Sequence, residues 1–385
     1  MTDRLADQIR FLTAADRLKG VTRANVLMDG SRHENTAEHS WHLALWAMVF
    51  ADLAPGTDPD RTVALCLVHD LVEIYAGDHP AHLEHDPLEV SARESEAADR
   101  LFPLLPEDQA RRFRELWEEF ETASTPEARA ARRLDTAQPV LQELSNPTQS
   151  AGDRDATRAI LTTGRAAVLA DDWPELHRHA MALLDRTGAL PEPVFAARLR
   201  FLAEADRLKS VLRATTIFDG SRPENSAEHS WHLALFALLL AEHGTGAPDP
   251  ARAARMLVLH DLVEIDAGDT PLHGGHDAAA QAAKEQAAAD RIFGLLPPGE
   301  GAALRALWEE FEAAETADAV FAKAVDRVQP VLANLETGGG TWTSYKVDRD
   351  ALERRVGTPV RRGAPALWAG LTPRIDDWFG PATPA

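Results

Sequence analysis

An all-α fold built as two tandem helical lobes is predicted by three observations on this 385-residue sequence. The stretch ENTAEHSWHLAL at 34–45 returns at 224–235 as ENSAEHSWHLAL, with Thr36 changed to Ser226. Apolar residues recur at helical intervals nearly throughout, and no run of alternating β-branched residues marks a strand. Length favours two cores, since domains typically run to about 100–200 residues.

The repeat sets the boundaries. The copies align at an offset of 190 positions from Phe11/Phe201 through His39/His229. From His69/His260 to Asp135/Asp326, by way of LWEEFE at 116–121 and 307–312, the offset is 191. One inserted residue after the first long helix explains the change. Lobe 1 is placed at 1–190 and lobe 2 at 191–385, with TGALPEP at 187–193 as the linker because its prolines and glycine break regular structure. Two such lobes in one chain imply an intramolecular pseudo-dimer. Beyond QPVL the copies part, and the GGGTW segment with Trp342 has no counterpart in lobe 1.

In ENTAEHSWHLALWAMVFADLA, Asn35 can cap a helix and Glu38 can close a capping box. Trp41, Ala44, Leu45 and Met48 form one apolar face, while Leu43, Trp46 and Phe50 make the opposite side apolar too, which describes a central helix. A second helix is predicted through LVHDLVEIYAGD, ended by Gly77. In LDTAQPVL and VDRVQPVL a proline stands four residues after Asp135 and Asp326 and removes a helical hydrogen bond. The resulting kink either aims the carboxylate or is simply tolerated. Trp117 and Trp308 of LWEEF are read as packing residues and the adjacent glutamates as a solvated face with some pairing, with ARAARRL at 128–134 a basic helical face. Arg132 or Arg133 could approach a phosphate from there, and Lys323 occupies the place of Arg132.

Composition excludes several functions. A formal net charge of −21 repels nucleic-acid polymers, whose binding needs Lys and Arg to neutralise phosphates. A small anion remains admissible where a cation or an arginine reverses the local potential. The single cysteine, Cys66, sits in the apolar run TVALCLVHD and reads as a small buried hydrophobe rather than a nucleophile. The charged N-terminus and the lack of eighteen consecutive apolar residues predict a cytoplasmic protein with no membrane partner.

Four ionisable positions recur in both lobes: His39, His69, Asp70 and Asp135, matched by His229, His260, Asp261 and Asp326. Imidazole nitrogens with carboxylate oxygens suit one divalent ion per lobe, of the hardness of Mn²⁺, Co²⁺, Fe²⁺ or Mg²⁺, with about two positions left for water and substrate. On a helix, His69 and Asp70 project about 100° apart and can share an ion, while Glu73 lies one turn on and faces the same site. Asp78 follows Gly77 at the mouth, and Glu264 and Asp269 repeat this in lobe 2. A lone histidine on an apolar helix is ordinarily a hydrogen-bonded core residue. Two carboxylates and a histidine in the apolar frame HDLVEI reverse that reading, because Asp and Glu are rarely buried unpaired.

The order His, His-Asp, Asp, with the first histidine in AEHSWH and the pair in VHDLVEIYAGD, resembles the HD-domain metal-dependent phosphohydrolases, in the branch of the 5′-deoxynucleotidases. The resemblance covers roughly residues 8–142 and 198–333. It implies a metal held by the four HD residues, an attacking water assisted by Glu73 or Glu264, and Asp78 or Asp269 near the leaving oxygen. It also implies phosphate binding by Arg23 and Arg213, and nucleoside 5′-monophosphates as small-molecule substrates. In that branch a tryptophan that helps choose the sugar follows the arginine; here Ala24 and Ala214 follow it, which leaves the sugar open. Three other readings stand beside this one. One is a di-iron oxygenase using His79, His82, His85, His273 and His276; another is a non-catalytic nucleotide-binding pseudo-dimer; the third is a division of labour in which one lobe is inactive.

Overall fold

The structure is a computed structural model and describes residues 2–79, 86–188, 191–275 and 277–380. Helix α1 (Asp3–Ala15) is capped by the Thr2 hydroxyl and buries Leu5, Ile9, Phe11 and Leu12. A 3₁₀ turn at Asp16–Gly20 leads into β1 (Thr22–Val26), which pairs antiparallel with β2 (His33–Asn35). This hairpin corrects the expectation of a chain without strands. TRANV has no alternating pattern, and tertiary pairing rather than propensity makes it a strand.

Helix α2 (Thr36–Val49) begins with the capping box expected of Asn35 and Glu38, and every residue except Met48 is buried. Helix α3 (Pro59–Val68) starts on an Asp58 cap and stops one residue before His69. The chain then tightens: Leu71 N–H donates to Val68 O at 3.1 Å and Glu73 N–H to Asp70 O at 3.0 Å, three residues back rather than four. The single helix expected from the HD pair through Gly77 is therefore two, with α4 (Glu73–Ala76) a separate turn that ends at Gly77, whose φ of 77° an L side chain rarely adopts. Helices α5 (Pro87–Leu101), α6 (Glu107–Thr122) and α7 (Pro126–Ser145) complete the shared part of lobe 1, and α7 runs unbroken through Pro139. Helices α8 (Ala151–Thr162), α9 (Leu169–Asp172) and α10 (Pro174–Asp185) form its tail.

Lobe 2 repeats the sequence of elements with α11 (Pro193–Ala205), β3 (Leu212–Thr216), β4 (Pro223–Asn225), α12 (Ser226–Leu240) and α13 (Pro250–Leu259). It continues with α14 (Glu264–Ala267), α15 (Ala278–Phe293), α16 (Pro298–Ala313) and α17 (Ala317–Glu336), which passes through Pro330. The tail differs, as the sequences do: α18 (Gly340–Ser344), α19 (Arg349–Leu352), α20 (Thr358–Gly363) and α21 (Pro365–Phe379).

The two lobes meet through α2 and α12, and one contiguous apolar core runs through both. Contacts across the junction are reciprocal. Trp41 Nε1 donates to Val258 O and Trp231 Nε1 to Leu67 O, each at 3.0 Å. Asn35 Nδ2 donates to Glu228 Oε2 at 2.7 Å and Asn225 Nδ2 to Glu38 Oε1 at 2.6 Å, so the capping-box glutamates also join the lobes. Both tryptophans are fully buried, and truncating either would cost about 3–5 kcal/mol. Among the described residues, no helix is long and apolar enough to cross a membrane.

Candidate metal centres

Helix α2 supplies His39, the end of α3 and the turn after it supply His69 and Asp70, and α7 supplies Asp135. His39 Nε2 lies 3.0 Å from Asp135 Oδ1 and 3.9 Å from Asp70 Oδ2; His69 Nε2 lies 3.1 Å from Asp70 Oδ2 and 3.9 Å from Asp135 Oδ1. In lobe 2, His229 Nε2 is 3.4 Å from Asp326 Oδ1, and His260 Nε2 is 3.0 Å from Asp261 Oδ1 and 4.0 Å from Asp326 Oδ1. All eight predicted ligand residues thus gather into two groups of four.

The donor set fits a divalent cation on two grounds. Bonds of about 2.1 Å in an octahedron put adjacent ligand atoms about 3 Å apart and opposite ones about 4.2 Å apart, which spans the separations in both lobes. The histidine tautomers also agree. His69 Nδ1–H donates to Cys66 O at 2.9 Å and His260 Nδ1–H to Leu257 O at 2.8 Å, which leaves each Nε2 buried, facing the centre and without a hydrogen-bond partner. His39 Nδ1–H is directed at Gln138 Oε1, 3.2 Å away, and His229 Nδ1–H at Glu224 Oε2, 3.0 Å away. A third acid and histidine group, Asp16 with Glu224 and His232, is filled by the ammonium of Lys19 and holds no room for an ion.

Charge is arranged around each centre. Burial opposes ionisation of Asp135, yet the adjoining imidazoles of His39 and His69 hold it far below the usual carboxylate range. Arg23, on β1, is buried; its NH1 is 3.0 Å from Asp70 Oδ2 and 3.8 Å from Asp78 Oδ1. Arg213 on β3 repeats the arrangement with Asp261 at 2.9 Å and Asp269 at 3.8 Å. The unforeseen hairpins therefore carry the two arginines. Burial, reinforced by the charge of Asp70, pushes Glu73 well above the usual range, with Arg23 opposing; Glu264 is raised in the same way beside Asp261 and Arg213. Burial also raises Asp78 and Asp269, again against their arginines.

Each centre opens into a cavity, of ≈ 600 Å³ in lobe 1 and ≈ 270 Å³ in lobe 2. Ala24 and Ala214 stand on the respective walls, as do His79 and His273. His82, His85 and His276 lie outside the described residues. The tails form the far walls, with Asn146, Thr148 and Arg165 in lobe 1, and Trp342 and Tyr345 in lobe 2.

Several participants escaped the sequence reading. Thr36 Oγ1 donates to Glu73 Oε2 at 2.9 Å and Ser226 Oγ to Glu264 Oε2 at 2.5 Å. Glu34 and Glu224 lie behind the first histidines and Lys19 and Lys209 behind them, all buried. Their presence in both copies, in RLKGVTRA/RLKSVLRA and HEN/PEN, was the available signal. The glutamates of LWEEFE are not one solvated face. Glu119 is buried and paired with Arg61, and Glu121 and Glu312 line the cavities, as does Glu94, which burial and Glu121 raise to about 7. Arg132 and Lys323 also reach the cavity walls, while Trp117 and Trp308 pack in the core as expected.

The HD-domain family pattern matches residues 15–177 and again 205–368. Among similar proteins, human 5′-deoxynucleotidase HDDC2 is 37% identical over 135 residues, which are 35% of this chain and 65% of that protein. The mouse protein of the same name is 36% identical over 36% of this chain and 68% of its own length. The fission-yeast 5′-deoxynucleotidase hdd1 is 30% identical over 39% of this chain and 77% of its own. The chain thus spans just under two thirds of the human relative. A solved structure described as a predicted metal-dependent phosphohydrolase from Magnetospirillum magnetotacticum MS-1 is 48% identical, over 49% of this chain and 94% of that one, with a TM-score of 0.46. Matched across both of its halves, and with the His, His-Asp, Asp set assembled in each, this chain belongs to the HD-domain family.

Proposed function

We propose that the protein is a metal-dependent phosphomonoesterase that hydrolyses nucleoside or deoxynucleoside 5′-monophosphates, with one divalent cation in each lobe and the two lobes joined as a pseudo-dimer. The observation that carries this reading is the buried arginine at each centre, within 3.0 Å of one metal-site carboxylate in lobe 1 and 2.9 Å in lobe 2. A guanidinium beside a cation site is a receptor for a dianion such as a phosphate monoester. The names of the relatives supply the nucleotide.

A bound cation would supply Lewis acidity to a phosphoryl oxygen and a water of lowered pKa. Arg23 or Arg213 holds a second phosphoryl oxygen. Glu73 or Glu264 takes a proton from the water as its oxygen bonds to phosphorus. The bond from phosphorus to the 5′ oxygen breaks, and Asp78 or Asp269, kept protonated more readily by burial, gives that oxygen its proton. The products are a nucleoside and inorganic phosphate.

The unequal cavities and Trp342, present in one wall alone, favour lobes that differ in the bases they accept. The test is a phosphate-release panel of ribo- and deoxyribonucleoside 5′-monophosphates with Mn²⁺, Co²⁺ or Mg²⁺, run on the wild type and on His69→Ala and His260→Ala. Each variant is expected to keep the activity of its intact lobe. No phosphate from any monophosphate with any of the metals would sink the assignment.

A further inference from the structure

The carboxylate behind the first metal-site histidine of each lobe is paired with a lysine from across the junction; in lobe 2 that carboxylate accepts from the histidine, while in lobe 1 Gln138 accepts and Glu34 lies alongside. Lys19, at the end of the first segment of lobe 1, lies with its Nζ 2.6 Å from Glu224 Oε1, and Glu224 Oε2 accepts from His229 Nδ1 at 3.0 Å. The same Oε2 lies 3.6 Å from Arg213 Nε. Lys209 of lobe 2 mirrors this, with Nζ 2.9 Å from Glu34 Oε2, while Glu34 Oε1 lies 3.8 Å from His39 Nδ1 and 3.5 Å from Arg23 Nε. Lys19 and Lys209 are fully enclosed, as are both glutamates. Each ammonium is also held from its own lobe, by Asp16 and Asp206 respectively, and each touches a histidine of the opposite lobe, His232 at 3.1 Å and His42 at 3.4 Å.

A buried glutamate left without its cation would be costly to keep ionised. Its geometry, and so the orientation of the histidine and arginine that lean on it, depends on a lysine its own lobe does not supply. An acceptor behind a metal-bound imidazole fixes the ring and raises its basicity, and losing one typically weakens metal binding about 10–100-fold. We propose that Lys19 and Lys209 are positioning residues acting in trans, each setting the metal affinity of the opposite lobe, so that neither centre is complete within its own repeat. This rests on the metal-centred reading above but not on the identity of the substrate.

The test uses the full chain, stripped of metal and titrated with Mn²⁺ by calorimetry, in backgrounds with one centre disabled. In His69→Ala, where only lobe 2 binds, Lys19→Met is expected to weaken Mn²⁺ binding about 10–100-fold. In His260→Ala, where only lobe 1 binds, the same substitution leaves the affinity unchanged, whereas Lys209→Met weakens lobe 1 alone and by a smaller factor, because Gln138 rather than Glu34 accepts from His39 Nδ1. Lys19→Gln serves where Lys19→Met does not fold, since it keeps most of the volume and a hydrogen-bond donor while removing the cross-lobe charge; it must also weaken lobe 2 alone. Equal losses at both centres, a loss confined to the lobe that carries the lysine, or no loss overturns the inference. If the wild type binds no Mn²⁺ at either centre, the metal-centred reading falls with it.

Discussion

Thr36 Oγ1 donates a hydrogen bond of 2.9 Å to Glu73 Oε2, tying the first residue of α2 to the carboxylate proposed as general base. The one difference within the twelve-residue repeat falls at this position, and Ser226 keeps the hydroxyl and the bond to Glu264. The bond stabilises the ionised carboxylate, so it lowers a pKa that burial and Asp70 raise. Thr36→Val in the His260→Ala background should therefore move the acidic limb of the kcat profile to higher pH, because the base must be deprotonated to act. Thr36→Ser should leave the limb in place. An unmoved limb in the valine variant would separate Glu73 from the proton transfer.

Much of the candidate centre was legible in the sequence because its His and Asp positions fall in local motifs written twice. His39 became interpretable only with VHDLVEI and LDTAQP at matching intervals, and the structure brings those segments together. What could not be read is what tertiary structure alone creates. Arg23 sits on a strand that TRANV does not announce, and Lys209 meets Glu34 across 175 positions, a contact that no periodicity marks. The break between His69 and Glu73 was hidden for a different reason. The apolar spacing of LVHDLVEI suits a helix, and turns bonded three residues back preserve nearly the same pattern.

Metal should stabilise the fold as well as serve the chemistry, because the four donors of a centre converge only in the native state. A ligand at a hundredfold excess over its Kd adds about 2.7 kcal/mol per site. Chelation followed by Mn²⁺ should raise the melting temperature of the wild type, with a smaller rise in His69→Ala and in His260→Ala. Calorimetric stoichiometry should fall from two ions to one in each variant. Identical rises in all three proteins would mean that the ion binds elsewhere.

Glu34 gives the metal-free protein a specific acid sensitivity. Burial opposes its ionisation, but Lys209, then His39 and Arg23, hold its carboxyl at about 2 against an ordinary value of 4.5. A carboxyl with a depressed folded pKa contributes stability that is complete above its unfolded pKa and is lost as pH falls toward the folded one. The stability of the wild type should therefore drop between about pH 4.5 and 2 more steeply than that of Glu34→Gln. Glu34→Gln should itself be less stable at neutral pH, since it leaves Lys209 short of a partner. Urea unfolding across that range measures both, and parallel pH curves would remove Glu34 from the acid response.

Trp342 offers the clearest handle on how the lobes differ. It is almost fully buried, packs against Trp378 and Phe379 at ring-centre distances of 5.5 and 4.8 Å, and closes a wall of the smaller cavity. Trp342→Ala should cost about 3–5 kcal/mol of stability, as large aromatic truncations in cores do. Trp342→Phe keeps an aromatic plug and should cost less. With lobe 1 disabled by His69→Ala, the alanine variant should raise kcat/KM for purine relative to pyrimidine monophosphates, because the added space lies where tail and metal centre face one another. The phenylalanine variant should fall between it and the parent. If the ratio stays fixed while stability drops as expected, Trp342 supports the tail without shaping the substrate, and the smaller volume of lobe 2 does not govern its choice of base.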